Sequence, residues 1–219
     1  MTKTKAQLSV SIAVLSASLL SSVTGFAAAY DAPANATTRS YAPSPVNGIE
    51  FGDQVFLSGG ERRITDFQFE YFLSANANGN ETGELFFRSN TGGASGVEPL
   101  TTLYRSGEFS LSTGFQSVFA QALAVNVPST FTWSVVFNGV DTGEQAGLLL
   151  ATPTVGASFD DFWQKNANGT WSTFLIDNGA TAANFAARIT AVPEPTTYAL
   201  ACIGALALAG YRRFKRNSA

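Results

Sequence analysis

The sequence predicts an all-β protein, a β-sandwich of jelly-roll type, flanked by an N-terminal signal helix and a C-terminal transmembrane helix. Three observations carry that expectation. Apolar and polar residues alternate with period two in several short runs. Turns rich in Gly and Asn separate those runs. Eighteen phenylalanines occur in a chain with a single cysteine, so aromatic burial rather than disulfide bonding has to hold the core. Fully burying one such side chain contributes roughly 1.5–3 kcal/mol. No repeat of fixed period is visible, which disfavours a solenoid or propeller.

Residues 1–29 read as a secretory signal peptide. Lys3 and Lys5 form a short positive start, and the run from Leu8 to Val23 is uncharged. Ala27, Ala28 and Ala29 supply the small residues a signal peptidase needs, and cleavage before Tyr30 is the expectation, with cleavage after Ala27 or Ala28 close behind. Residues 30–47 mix prolines with small polar residues and read as an extended linker.

The domain proper is expected over 48–190, enough chain for one real core. From Ile64, the residues Phe67, Phe69, Tyr71 and Leu73 alternate with Asp66, Gln68, Glu70 and Phe72. A turn at 76–80 and a return strand from Glu84 to Arg88 make a hairpin. Further strands are expected over Thr102–Leu111, Gln116–Val127, Ala146–Ala151, Thr170–Ile176 and Phe185–Ile189. The cleanest alternation is Phe131, Trp133, Val135 and Phe137. Phe159–Gln164 is ambiguous, and the alanines of 116–126 and 180–187 leave a helical turn open in each.

Charge narrows the function classes. The signal peptide and the basic C-terminal end together hold six of the thirteen basic residues. The region between keeps seven against sixteen acidic residues, a net of −9. That disfavours binding nucleic acid or an acidic polysaccharide through a basic surface. The chain has no histidine, which removes Ser-His-Asp and Cys-His catalysis and most zinc sites.

Few side chains stand out as candidate ligands. Asn76, Asn78, Asn80 and Glu81 share a loop, but one nearby carboxylate and a missing Asp-x-Asp-x-Asp-Gly pattern favour a plain Asn/Gly turn over a calcium site. No cofactor is expected; calcium stays open. Asp160 and Asp161 lie beside Phe162 and Trp163, and Trp163 and Trp171 flank the turn at 166–169. Together these four form the candidate glycan-binding group, set against the plainer reading of a solvated loop Asp and a core Trp. Adjacent carboxylates on a strand point to opposite faces, which weakens a shared site. Trp133 belongs to the core. Glu70 paired with Asp160 or Asp161 is the one acid–base arrangement to consider, and a glycosidase needs its two carboxylates about 5–5.5 Å or 6.5–9.5 Å apart. The sequons at Asn35, Asn80 and Asn168 are read as chance.

The final stretch, 191–219, is the most specific. Val192-Pro193-Glu194-Pro195 is followed by the uncharged run Tyr198–Tyr211 and then by Arg212, Arg213, Lys215 and Arg216. With Thr196 and Thr197 the uncharged run would span about 24 Å as a helix, short of a hydrocarbon core of about 30 Å, and interfacial Tyr198, Tyr211 and a snorkelling Arg212 would close part of the gap. The basic end favours a cytoplasmic C-terminus. Cys202 falls within this segment, so the exported region can form no disulfide.

A Pro-Glu-Pro motif, a short apolar helix and an Arg-rich end, in that order, resemble the PEP-CTERM sorting signal of Gram-negative bacteria. The segment Gly52–Gly60 followed by Ile64–Phe69 also resembles the opening strands of many such proteins. The resemblance implies an exosortase, a membrane-embedded transpeptidase, as partner, with transient residence in the inner membrane and association with exopolysaccharide. The expectation is therefore an exported surface or extracellular-matrix protein of biofilms, non-enzymatic, whose β-domain binds neutral glycans. The alternative is a secreted carbohydrate-active hydrolase using a carboxylate pair.

Overall fold

The computed structural model describes residues 28–44, 47–90, 98–193 and 204–205. The expected signal helix, Ala27, Glu194, Pro195 and the basic residues Arg212, Arg213, Lys215 and Arg216 lie outside the described residues. Among those described, no helix is long and apolar enough to cross a membrane.

The described chain is all-β, in two sheets. Its strands are β1 (Ala28–Ala32), β2 (Tyr41–Pro43), β3 (Glu50–Phe56), β4 (Arg63–Leu73), β5 (Thr82–Asn90), β6 (Pro99–Ser110) and β7 (Gly114–Ala120). They continue with β8 (Val125–Asn126), β9 (Thr130–Asn138), β10 (Ala146–Leu149), β11 (Ala157–Ser158), β12 (Phe162–Lys165), β13 (Trp171–Phe174) and β14 (Ala187–Val192). One sheet runs β1-β14-β4-β10-β2, with β7 and β8 on the far side of β4. The other runs β13-β12-β3-β9-β5-β6, with β11 beside β3. All pairings between these strands are antiparallel.

Period-two alternation explains the core. On β4, Ile64, Phe67, Phe69, Tyr71 and Leu73 are buried, and on β9 so are Phe131, Trp133, Val135 and Phe137. These two rows face each other across the sheets: Trp133 meets Phe67 and Phe69 with ring centroids 5.3 and 5.7 Å apart, and Tyr71 meets Phe137 at 6.1 Å. The Tyr71 hydroxyl also closes a loop, accepting from Ser112 N at 2.8 Å.

The linker expected over 30–47 is extended, but it is not a linker. β1 pairs along β14, and β2 pairs with β10. Tyr30 and Ala32 are fully buried, and Ala29 O accepts hydrogen bonds from Ser58 N and Ser58 Oγ. Proline and small residues do not prevent this, because an edge strand needs backbone donors on one side only. The 116–126 region is a strand through Ala120 and again at Val125–Asn126, with no helical turn; 180–187 is held by isolated bridges such as Leu150 to Phe185.

Candidate functional site

The outer face of the second sheet is where polar and aromatic residues collect. On β3 the core takes Phe51, Asp53 and Val55, so Glu50, Gly52 and Gln54 point the other way. Their cross-strand neighbours on β9 include Ser134 and Thr132, and Arg88 on β5 lies opposite Thr132. Glu50, Gln54, Arg88, Thr132 and Ser134 are all buried although they face away from the core. Other side chains therefore cover them.

The cover is aromatic. β12 and β13 pair so that Trp163 faces Thr173 and Lys165 faces Trp171. Trp163 and Trp171 are thus diagonal neighbours on one face, as the turn between them at 166–169 suggested. Trp163 Nε1 donates to Gln54 Oε1 at 3.2 Å. That bond fixes the orientation of the amide and leaves Gln54 Nε2 buried with no partner among the described residues. The Trp171 ring centroid lies 5.4 Å from Arg88 Cζ and 5.8 Å from Lys165 Nζ. Arg88 Cζ is also 5.1 Å from the Phe86 ring, and Arg105 Cζ is 5.7 Å from the same ring. Cations and rings alternate along the face: Lys165, Trp171, Arg88, Phe86, Arg105. Three of the seven basic residues between Lys5 and Arg212 stand in this one row.

Beneath it sits a buried ion pair. Arg88 Nε and Nη2 donate to the two oxygens of Glu50 at 2.5 and 2.7 Å, a bidentate fork. Arg88 Nη1 donates to Thr102 Oγ1, and Ser134 Oγ donates to Glu50 Oε1. Lys165 Nζ is 3.6 Å from Glu50 Oε2. Arg105 makes a second fork with Glu84, nearer solvent. Sequence reasoning missed Glu50 and Arg88, which are 38 positions apart and carry no local pattern.

The other expected carboxylates do not join this face. Asp160 is exposed; its Oδ1 accepts from Asn184 Nδ2 and its carbonyl from Ala183 N. Burial pushes Asp161 above the usual carboxylate range, with Asp160 adding to the effect. The group expected as Trp163, Trp171, Asp160 and Asp161 thus divides into an indole pair and a separate acidic corner. Glu70 belongs to β4 in the opposite sheet, where it lines a cavity of about 150 Å³ with Asp31, Gln68 and Arg188 but neither Asp160 nor Asp161.

Two further carboxylates are structural. Asp53 is fully buried on the core face of β3. It accepts from Ser158 Oγ at 2.5 Å and from Phe185 N at 3.1 Å, and burial holds its pKa well above the ordinary value. The Asn-rich loop is tied within itself and to the neighbouring turn: both oxygens of Glu81 accept backbone N–H groups, from Asn78 at 2.8 Å and Gly79 at 2.9 Å, and Asn76 Nδ2 and Asn78 Nδ2 donate to Gly143 O and Asp141 Oδ2. Burial works to raise the Glu81 pKa, but these donors outweigh it and hold the carboxyl below its usual range.

At the C-terminal end, β14 runs to Val192, whose carbonyl accepts from Arg62 N, and Pro193 follows at once. Residues 191–213 match the PEP-CTERM protein-sorting motif. The motif implies recognition by an exosortase and an exported, membrane-processed precursor sorted to the cell surface. No curated protein and no solved structure matches the chain.

Proposed function

We propose that this exosortase-sorted surface protein is a non-enzymatic component of the extracellular matrix, and that its β-domain binds neutral glycans on the outer face of the second sheet. We class that domain as a β-sandwich of jelly-roll type, because the chain crosses repeatedly between sheets, as from β3 to β4 to β5. The observation that carries the glycan reading is the indole pair. Trp163 and Trp171 lie diagonally on one face over a polar layer, and pyranose rings stack on such surfaces through their C–H faces. The Arg88 guanidinium beside the Trp171 ring fixes the indole in place before any ligand arrives, which lowers the ordering cost of binding.

The test is titration of the mature protein with neutral oligosaccharides, following tryptophan fluorescence, with a uronic-acid oligosaccharide as control. Trp163→Ala and Trp171→Ala should each weaken binding at least tenfold while circular dichroism stays unchanged. Wild-type protein that binds no neutral glycan, or variants that bind as well as wild type, would remove this reading. Release of reducing ends, lost in Glu70→Gln or Asp161→Asn, would instead show a hydrolase.

A further inference from the structure

The edges of the first sheet are protected unequally. β1 is covered on its outer side, where Asp31 N donates to Val155 O and Thr154 N donates to Asp31 O. β2 has three residues and β8 two. In the second sheet, β13 has four residues, and β6 carries Arg105 and Glu108 and shifts register against β5 three times. Short length, charge and bulges are the ordinary ways a protein blunts an edge. β7 uses none of them. Its seven residues, Gly-Phe-Gln-Ser-Val-Phe-Ala, hold no charge and no proline, and they pair with β4 without a register shift. Among the described residues, no backbone hydrogen bond joins β7 to anything but β4.

Its outward side chains are unusual as well. Phe119 is 61% exposed and Phe115 40%. Phe115 ends an aromatic run on the outer face of the sheet: Tyr41 stacks on Phe72 at 4.5 Å, and Phe72 meets Phe115 at 5.0 Å. Tyr41 reaches across β10 because residue 147 is glycine; a side chain there would meet the Tyr41 ring. The run stops at the β7 edge, where Arg39 Cζ lies 5.4 Å from the Phe115 ring and where no further strand pairs among the described residues.

The geometry points to a second copy of this chain as the occupant of that edge, through antiparallel β7–β7 pairing about a two-fold axis at Ser117. The strand reads Phe115-x-Ser117-x-Phe119, so this axis sets Phe115 opposite Phe119 of the second copy and Ser117 opposite its own equivalent. All four phenylalanines then share one face and extend the aromatic run across the interface, the self-complementarity an isologous contact requires. The chain's own ends are poorly placed to compete. Val192 pairs with Arg63 at the opposite end of β4 from Phe72, and on the other side from β7.

The area sets the strength. With about 200 Å² for a whole phenylalanine, the exposed parts of Phe115 and Phe119 amount to about 200 Å² per copy. Even with the strand edges added, the contact falls below the roughly 1,200 Å² total of a stable complex. The net charge of −9 opposes it further. The dimer is therefore weak in dilute solution and forms where the protein is crowded at a surface.

Sedimentation of the mature protein between about 10 μM and 1 mM should show a reversible monomer–dimer equilibrium. Phe119→Lys and Ser117→Lys, both at exposed positions, should weaken it at least tenfold without altering circular dichroism. In a Cys202→Ser background, Ser117→Cys should give a homodimer with a short bis-thiol crosslinker, and Thr101→Cys on β6 should not. A strictly monomeric wild type at 1 mM, lysine variants that associate unchanged, or equal crosslinking from both cysteine positions would each overturn the proposal.

Discussion

Replacing Arg88 by Met tests whether the Glu50–Arg88 pair is as buried as it looks. Arg88 and Glu50 side chains are 9% and 5% exposed, and the fork is bidentate. Methionine keeps much of the packing volume and removes the charge. Glu50 would then keep only Ser134 Oγ and a Lys165 ammonium 3.6 Å away. Stranding one partner of a buried pair costs about 3–5 kcal/mol. For a domain whose total stability is about 5–15 kcal/mol, that is a large fraction. At about 2–4 °C per kcal/mol for a domain of this size, the midpoint of thermal unfolding should fall by about 6–20 °C. The double variant Glu50→Leu/Arg88→Met strands no charge and should recover most of the loss. Urea unfolding followed by fluorescence reads both, and the Trp171 environment should change in the same samples because the nearer of its two cationic neighbours is gone. A loss below about 1 kcal/mol for Arg88→Met would refute the argument, since that is the range of a solvent-screened pair.

Other outcomes follow from single features. Asp53 holds its proton more tightly folded than unfolded, so its contribution to stability is fully present below the ordinary Asp pKa of about 3.9 and declines as pH rises toward the raised folded value. Asp53→Asn keeps the Phe185 and Ser158 partners, so it should flatten that decline in urea titrations across pH; an unchanged slope would show that another group causes it. Gly52→Ala should destabilise by about 2–4 kcal/mol, because a Cβ would overlap the Trp133 carbonyl; a near-neutral result would mean the β3–β9 backbones are less close. The mass of the protein from its native host should place the first residue at Ala28 or Ala29, since cleavage before Tyr30 removes the Ala29 carbonyl that Ser58 binds twice; a mature chain starting at Tyr30 would show that β1 forms without it.

Much of the fold was legible because period-two patterning marks any strand with one face in a core. The rows Phe67–Leu73 and Phe131–Phe137 were read from sequence and pair across the sheets. β1 and β2 escaped because their burial comes from tertiary pairing with β14 and β10, while their composition, rich in proline and alanine, resembles a linker. The Trp163–Trp171 pair could be anticipated, since a short turn between two strands brings them together. The ion pair beneath them could not, because it is made by two residues from strands separated by β9, on a face that usually stays wet. Asp53 was invisible for a related reason: a carboxylate on the apolar side of an alternating strand breaks the very rule used to find the strand. The acid–base arrangement of Glu70 with Asp160 or Asp161 remained open in the sequence because nothing there placed Glu70 on a strand of one sheet and the two aspartates in the bend before a strand of the other.

The ladder between β1 and β14 sets an orientation. Ala28 lies opposite Thr190, two residues before β14 ends, so both termini of the domain leave from one pole. Five residues separate Val192 from Tyr198, at most about 17 Å of fully extended chain. With Tyr198–Tyr211 as the anchor expected from the sequence, that pole would face the bilayer, like a post on a short footing. Phe56 is at the foot, since the next residues, Leu57 and Ser58, bond back to Ser129 and Ala29. β3 then rises away from the bilayer toward Glu50, about 20 Å higher at roughly 3.3 Å per residue. Lys165 and Trp171 share that upper level, so the end of the indole face nearest Trp171 lies at the pole away from the two termini.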